Sequence, residues 1–253
     1  MFQIKNFTDN NDVRALETRG AFTVVEYLRD LSVSPSSAQT AYYCNEMNVR
    51  KRQVICDLSK TAVTLQAGAM QWTAGNVNAT TGLKGVGDLF GKAVRGKVTG
   101  ESAIKPEYTG DGILVTEPTY RYILLEDLND WNGSIVLDDG LFLASEASVK
   151  HKAVMRSNFS SAVAGGEGLF NLGLTGAGIV CLESNSPREE LIEITMQNDV
   201  VKIDGNMAIA WSGSLEFTVE RSGKTLLGSA ASGEGLVNVY RGTGKVLLAP
   251  VAR

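Results

Sequence analysis

The chain repeats itself. Glu101 to Val154, written above Glu167 to Glu220, aligns without a gap at an offset of 66, with 11 identities in 54 positions. Thr109-Gly110-Asp111-Gly112-Ile113 meets Thr175-Gly176-Ala177-Gly178-Ile179, and Glu117 meets Glu183. Leu125 meets Leu191, Asn132 meets Asn198, Asp138 meets Asp204, Ala144 meets Ala210 and Ser148 meets Ser214. Apolar positions track as well, Val136 against Lys202 being the main mismatch. Two partial copies lie nearer the ends. Gly233 to Leu247 matches Gly166 to Val180 with one residue missing, and Leu65 to Val77 matches Leu137 to Val149. Self-similarity at a fixed period means one small unit stacked on copies of itself, because a single unit cannot bury its own apolar face.

The unit is β. Short runs such as Phe22–Leu28, Arg52–Leu58, Ala62–Gln66, Gly112–Thr116, Tyr122–Leu125 and Ser134–Leu137 alternate or are β-branched. Gly178–Leu182, Leu191–Ile194, Val200–Ile203, Leu215–Val219 and Lys245–Leu248 continue the series. Many short strands at even spacing, with Gly, Asn and Asp between them, predict an all-β sandwich or barrel. Asp-Gly at 111–112, 139–140 and 204–205 and Asn-Gly at 132–133 supply tight turns. Only Val86, Leu89, Phe90, Ala93 and Val94 fall at helical spacing, predicting one short helix in a connection. The two partial copies predict that terminal strands complete one unit. The expected organisation is one β domain over 1–253: an N-terminal unit 1–82 completed by 232–253, a second unit 83–157 and a third 158–231, in a closed pseudo-threefold ring that leaves no strand edge open.

These residues carry a resemblance. The run Gly68 to Val77 (GAMQWTAGNV), Thr99 to Ile104 (TGESAI) and Tyr108 to Val115 (YTGDGILV) resemble, in that order, the altered-inheritance-of-mitochondria family of TRAP-like proteins. TRAP is the tryptophan RNA-binding attenuator protein, whose fold is a short double-stranded β-helix. The resemblance runs from about Gly20 to Ala249 and implies three TRAP-like repeats in one chain, in a bacterial member of the family. It implies no particular reaction.

Composition narrows the function. Of 253 residues 43% are hydrophobic and 21% charged, as in an ordinary globular chain. No apolar stretch approaches the length of a membrane helix, and the first twenty residues match neither a secretory signal nor an acid-poor transit peptide. Cys44, Cys56 and Cys181 are few, odd in number and lack CxxC spacing, so reduced thiols in the cytoplasm are expected. A net charge of −4 weighs against a nucleic-acid partner, which demands clustered cations. Arg50-Lys51-Arg52 and the stretch Lys84 to Lys105 read as solvated faces.

Catalytic patterns fail one by one. His151 is the only histidine, sits between Lys150 and Lys152, and reads as a surface residue at a strand end. One His and three scattered Cys make a poor metal site. Gly223-Lys-Thr225 has Thr218 where a phosphate loop needs Gly, and Gly166-x-Gly168 has Asn171 where a dinucleotide fingerprint needs its third Gly. The Gly110/Gly112, Gly176/Gly178 and Gly242/Gly244 pairs read as turns between strands. Glu117, Glu183, Asp138 and Asp204 recur in the repeat and are the candidate ligand-binding acids, with guarding of strand edges as the plainer role. Trp131, within Asn-Asp-Trp-Asn-Gly, reads as a loop tip and an interface anchor. The expectation is a non-enzymatic interaction or scaffold protein, forming a homo-oligomer or binding a protein partner. The alternative is a small-molecule or nucleic-acid binding module using clefts between the β units. No catalytic residue, cofactor, metal or membrane insertion is expected.

Overall fold

The computed structural model describes residues 2–81, 105–155, 170–221 and 236–250. Sixteen strands form two curled, wholly antiparallel sheets, with one short α-helix and two single 3-10 turns. β1 (Val13–Arg19), β2 (Phe22–Tyr27), α1 (Ala38–Glu46), β3 (Arg52–Asp57), β4 (Val63–Leu65), β5 (Met70–Thr80) and β6 (Glu107–Thr116) come first. β7 (Tyr122–Asp127), η1 (Leu128–Trp131), β8 (Ser134–Leu137), β9 (Phe142–Glu146), β10 (Lys150–Met155), β11 (Phe170–Thr175) and β12 (Ile179–Ser184) follow. η2 (Arg188–Glu190), β13 (Ile192–Asp204), β14 (Ala208–Ser212), β15 (Glu216–Arg221) and β16 (Leu236–Leu248) complete the described chain. The nine-stranded sheet runs β1-β2-β3-β6-β4-β9-β12-β7, with β5 also on β6. The seven-stranded sheet runs β10-β11-β8-β14-β16-β13, with β15 also on β16.

One pattern of register occurs three times. β5 meets β6 with Met70 opposite Thr116, Trp72 opposite Val115 and Thr73 opposite Leu114. β9 meets β12 with Phe142 opposite Leu182, Ala144 opposite Cys181 and Ser145 opposite Val180. β14 meets β16 with Ala208 opposite Leu248, Ala210 opposite Leu247 and Trp211 opposite Val246. Each carries the same irregularity after its first pair, a bulge that turns the strand. Gly110, Gly176 and Gly242 adopt φ of +126°, +121° and +119°. At Gly110 a Cβ would lie 2.0 Å from the Asn76 carbonyl oxygen, so only glycine lets these strands approach. Hence Gly110/Gly112 and Gly242/Gly244 lie inside the long strands β6 and β16, and Asp111-Gly112 is mid-strand; only Gly176/Gly178 joins two strands as expected.

Two further expectations are corrected. β16 pairs with β13, β14 and β15, so the described part of 232–253, residues 236–250, does not pair with an N-terminal strand; β5 finds its partner in β6 instead. The ring is also not closed by strand pairing, because β5 and β13 each have an edge with no strand on it among the described residues. The short helix expected at 86–94 lies outside the described residues. α1 was not expected: it buries no residue, so it leaves no periodic apolar face in the sequence.

The core forms three clusters. One joins Phe22, Val54, Leu65 and Leu114 to Leu125, Ala144 and Cys181. A second joins Leu128, Trp131, Leu137 and Leu174 to Ile209, Ala210 and Leu247. The third gathers Met196, Ile203, Trp211, Tyr240 and Val246 around Val136. Fully burying each large apolar side chain contributes about 1.5–3 kcal/mol.

Candidate functional site

Curling brings the two end strands of the nine-stranded sheet, β1 and β7, together without backbone pairing between them. Side chains bridge the gap: Arg19 Nη1 donates to the Leu125 carbonyl at 2.9 Å, and Tyr122 Oη to the Asn48 carbonyl at 3.5 Å. The gap opens into a cleft of about 770 Å³ lined by β1, β7, Glu26, Arg52, η2 and Lys245.

Two buried carboxylates anchor it. Glu26 is 2% exposed, although it interrupts the apolar run of β2. Arg52, also 2% exposed, donates from Nη2 to Glu26 Oε2 at 2.6 Å. Arg14 at 3.0 Å and Arg50 at 3.3 Å share the other oxygen. Arg52 further donates to the carbonyls of Arg50, Arg121 and Asn48 and lies 4.2 Å from the centre of the Tyr122 ring. A buried guanidinium is tolerated only with such full satisfaction of its donors. The second carboxylate, Glu126, accepts from Trp131 Nε1 at 3.0 Å and from Arg188 Nε at 3.0 Å. Arg188 also pairs with Glu193, and Lys245 sits 3.7 Å from Glu193 and 4.3 Å over the Trp131 ring. Every cation lining the cleft thus has a carboxylate partner. The cleft presents fixed, alternating charge rather than a free cationic face for phosphate.

Arg50-Lys51-Arg52 is accordingly not a solvated face: Arg52 is core, Arg50 holds Glu26 and Lys51 holds Asp30 at 2.5 Å. Glu26, Glu126 and Arg188 went unremarked in the sequence, and Arg52 was read there only as a solvated cation at the head of a strand. The signal available was an acid inside or directly after an apolar strand run, at Glu26 and at Glu126.

The five expected site residues do not converge, and none lines the cleft. Glu117 is exposed just beyond β6. Glu183, on β12, is half-buried; burial raises its carboxyl above the ordinary range, against the pull of Arg121 at 3.8 Å. Asp138 follows β8, where its N–H donates to the Ile209 carbonyl, and Asp204 ends β13 exposed to solvent. Trp131 is corrected from loop tip to core, at 1% exposure. Asp127 caps the 3-10 turn by accepting from the Asn129 N–H at 2.8 Å, and Asn132 takes a left-handed φ of 52°. That geometry folds the tryptophan inward onto Glu126. Among the described residues no three His, Cys, Asp or Glu side chains stand together as metal ligands.

His151 is likewise not a surface residue. It packs edge-on to Phe142 at 5.0 Å, and its Nε2 lies 2.9 Å from Ser145 Oγ. Burial, with Lys105 nearby, lowers its pKa to about 4. The Ser145 hydroxyl is wholly buried, so no substrate carbonyl reaches this pair. The three cysteines are unbridged, and burial pushes the Cys56 and Cys181 thiols up, away from the reactive thiolate.

The sequence model for mitochondrial biogenesis AIM24 matches residues 47–251. The chain belongs to the AIM24 family. An uncharacterized protein of Streptococcus pyogenes serotype M6 is 32% identical over 195 residues, 74% of this chain and 76% of that one. A Streptococcus pyogenes protein solved by X-ray crystallography superposes with a TM-score of 0.58 at 28% identity, covering 80% of this chain and 88% of that one. The AIM24 match takes in β3 to β16, whereas β1, β2 and α1 precede it. The cleft therefore combines family elements with the N-terminal pair that carries Arg14 and Glu26. Among the described residues no helix is long and apolar enough to cross a membrane.

Proposed function

We propose that this AIM24-family chain is a non-enzymatic interaction protein, an oligomeric scaffold built from three TRAP-like β units at 52–116, 122–184 and 192–248. The repeated register supports the units. Ile55 opposite Val115, Leu125 opposite Cys181 and Glu193 opposite Leu247 take equivalent places, as do Val63 opposite Tyr108, Ile135 opposite Leu174 and Val201 opposite Tyr240. By this register Leu125 corresponds to Glu193, so the gapless alignment slips by two residues ahead of Asn132 and Asn198, which share a left-handed φ.

The observation that carries the scaffold reading is the surface around α1. Leu31, Tyr42, Val49 and Tyr120 are exposed and line one groove there, and Tyr43 on α1 and Met47 at its end are exposed too, Met47 to 74%. Large apolar groups gathered on one exposed face mark an interaction site. Light scattering on the purified chain tests it: a mass above 27.1 kDa supports the reading, and a monomer that captures no protein from its source refutes it.

The cleft between β1 and β7 favours the second reading, a small-molecule binding module, through two buried carboxylates facing one cavity. A retained adduct in native mass spectrometry, lost in Glu26→Gln, would establish it in place of the first.

A further inference from the structure

Two open strand edges carry matching registers. β4 pairs with β9 through Leu65 opposite Ala144, Thr64 opposite Ser145 and Val63 opposite Glu146. β8 pairs with β14 through Leu137 opposite Ala210, Val136 opposite Trp211 and Ile135 opposite Ser212. These are two copies of one antiparallel joint. Carried forward by 66, Leu137, Val136 and Ile135 become Ile203, Lys202 and Val201 on β13. Carried back by 72, Ala144, Ser145 and Glu146 become Trp72, Thr73 and Ala74 on β5.

The third joint of the series, Ile203 to Trp72, is missing among the described residues. There β13 pairs only with β16 and β5 only with β6. The cores agree. The cluster at the first joint draws Leu65 together with Ala144, and that at the second Leu137 together with Ala210. The cluster holding Ile203 draws nothing from the described residues of 2–81 and 105–116. Phe7 stacks edge-on to Trp72 at 5.6 Å and so covers a face of β5, yet no backbone hydrogen bond from residues 2–10 occupies its edge. Neither edge carries an acid at the matching positions, and Thr73 and Lys202 are exposed.

We infer that β13 of one copy pairs with β5 of a second copy of this chain, antiparallel, with Ile203 opposite Trp72, Lys202 opposite Thr73 and Val201 opposite Ala74. The inference rests on the oligomeric reading above and adds to it a joint made by residues other than those of the face around α1. A partner strand satisfies the edge N–H and C=O groups that each copy leaves unpaired, and two reciprocal joints close a twofold dimer. The mismatch of Val136 with Lys202 in the repeat then has a cause: Val136 is sealed inside a joint of one chain, whereas Lys202 faces water until copies meet.

Cross-linking tests it. Directly opposed residues on antiparallel strands have Cα atoms about 4.5–5.5 Å apart, within disulfide range. In a Cys44→Ser background, one preparation carries Thr73→Cys and a second, distinguishable by a tag, carries Lys202→Cys; the native Cys56 and Cys181 are buried. Mixing under mild oxidation is expected to yield a reducible dimer containing both chains. Lys150→Cys, exposed on β10, replaces Lys202→Cys as the control and is expected to give none. A double variant that links within one chain would overturn the inference in favour of ring closure. No link in a chain that light scattering shows to be oligomeric would overturn this joint and leave the scaffold reading standing. No link in a monomeric chain would overturn this joint, and the scaffold reading with it where that monomer captures no protein from its source.

Discussion

Glu26 and Arg52 show how a single buried pair is committed. With both side chains out of water, the pair adds little net stability over apolar packing, but removing Arg52 takes the donor from buried Glu26 Oε2 and leaves Arg14 and Arg50 on Oε1 alone. Arg52→Met is expected to cost about 3–5 kcal/mol in urea unfolding, and adding Glu26→Gln is expected to recover part of that loss. His151 makes the opposite commitment. Its folded pKa near 4 lies below its ordinary 6.5, so the unfolded chain binds its proton first as pH falls. Stability from this site is complete above pH 6.5 and is lost between pH 6.5 and 4. The melting temperature of His151→Gln is expected to fall less across that window than that of the native chain.

At the level of elements, most strands were legible because their alternation is local. Ser134–Leu137 is a strand from the first residue named to the last. Leu191–Ile194 and Val200–Ile203 read as two strands, yet β13 spans both, since Asn198 in the left-handed region absorbs the irregularity without ending the strand. Two of the three Gly-x-Gly pairs were misread for the same reason: a glycine at positive φ ends a strand or merely bends it, and only the partner strand decides which. Trp131 and Arg52 were hidden because burial of a loop tryptophan or a strand arginine depends on distant partners, Lys245 and Glu26. β16 is the strand on which most depends. It pairs with β13, β14 and β15 and buries Val246 and Leu247, with Ala249 buried just beyond its end. Deleting Gly244 to Ala249 is therefore expected to abolish cooperative unfolding, read as loss of the thermal transition.

On the scale of the whole molecule, the net charge of −4 masks a dense internal pairing, so bulk charge gave no clue to the cleft. The apolar surface near α1 was invisible for a different reason: Leu31, Tyr42, Val49 and Tyr120 are scattered in sequence and line one groove only in the fold. If that face is a further contact between copies beside the β5–β13 joint, Tyr42→Ser with Met47→Ser is expected to lower the scattering mass while leaving the melting temperature unchanged, because neither side chain is buried in the chain itself.

The two sheets also differ in when they are assembled. All strands of the nine-stranded sheet have been synthesised once Ser184 is made. In the other sheet β13, β14 and β15 precede the strand they all need, which ends at Leu248. At about 5–20 residues per second the wait is roughly 3–13 s. During it a nascent chain carries one finished sheet and three strands short of their central partner, so the second half of the molecule is where a chaperone would have its work.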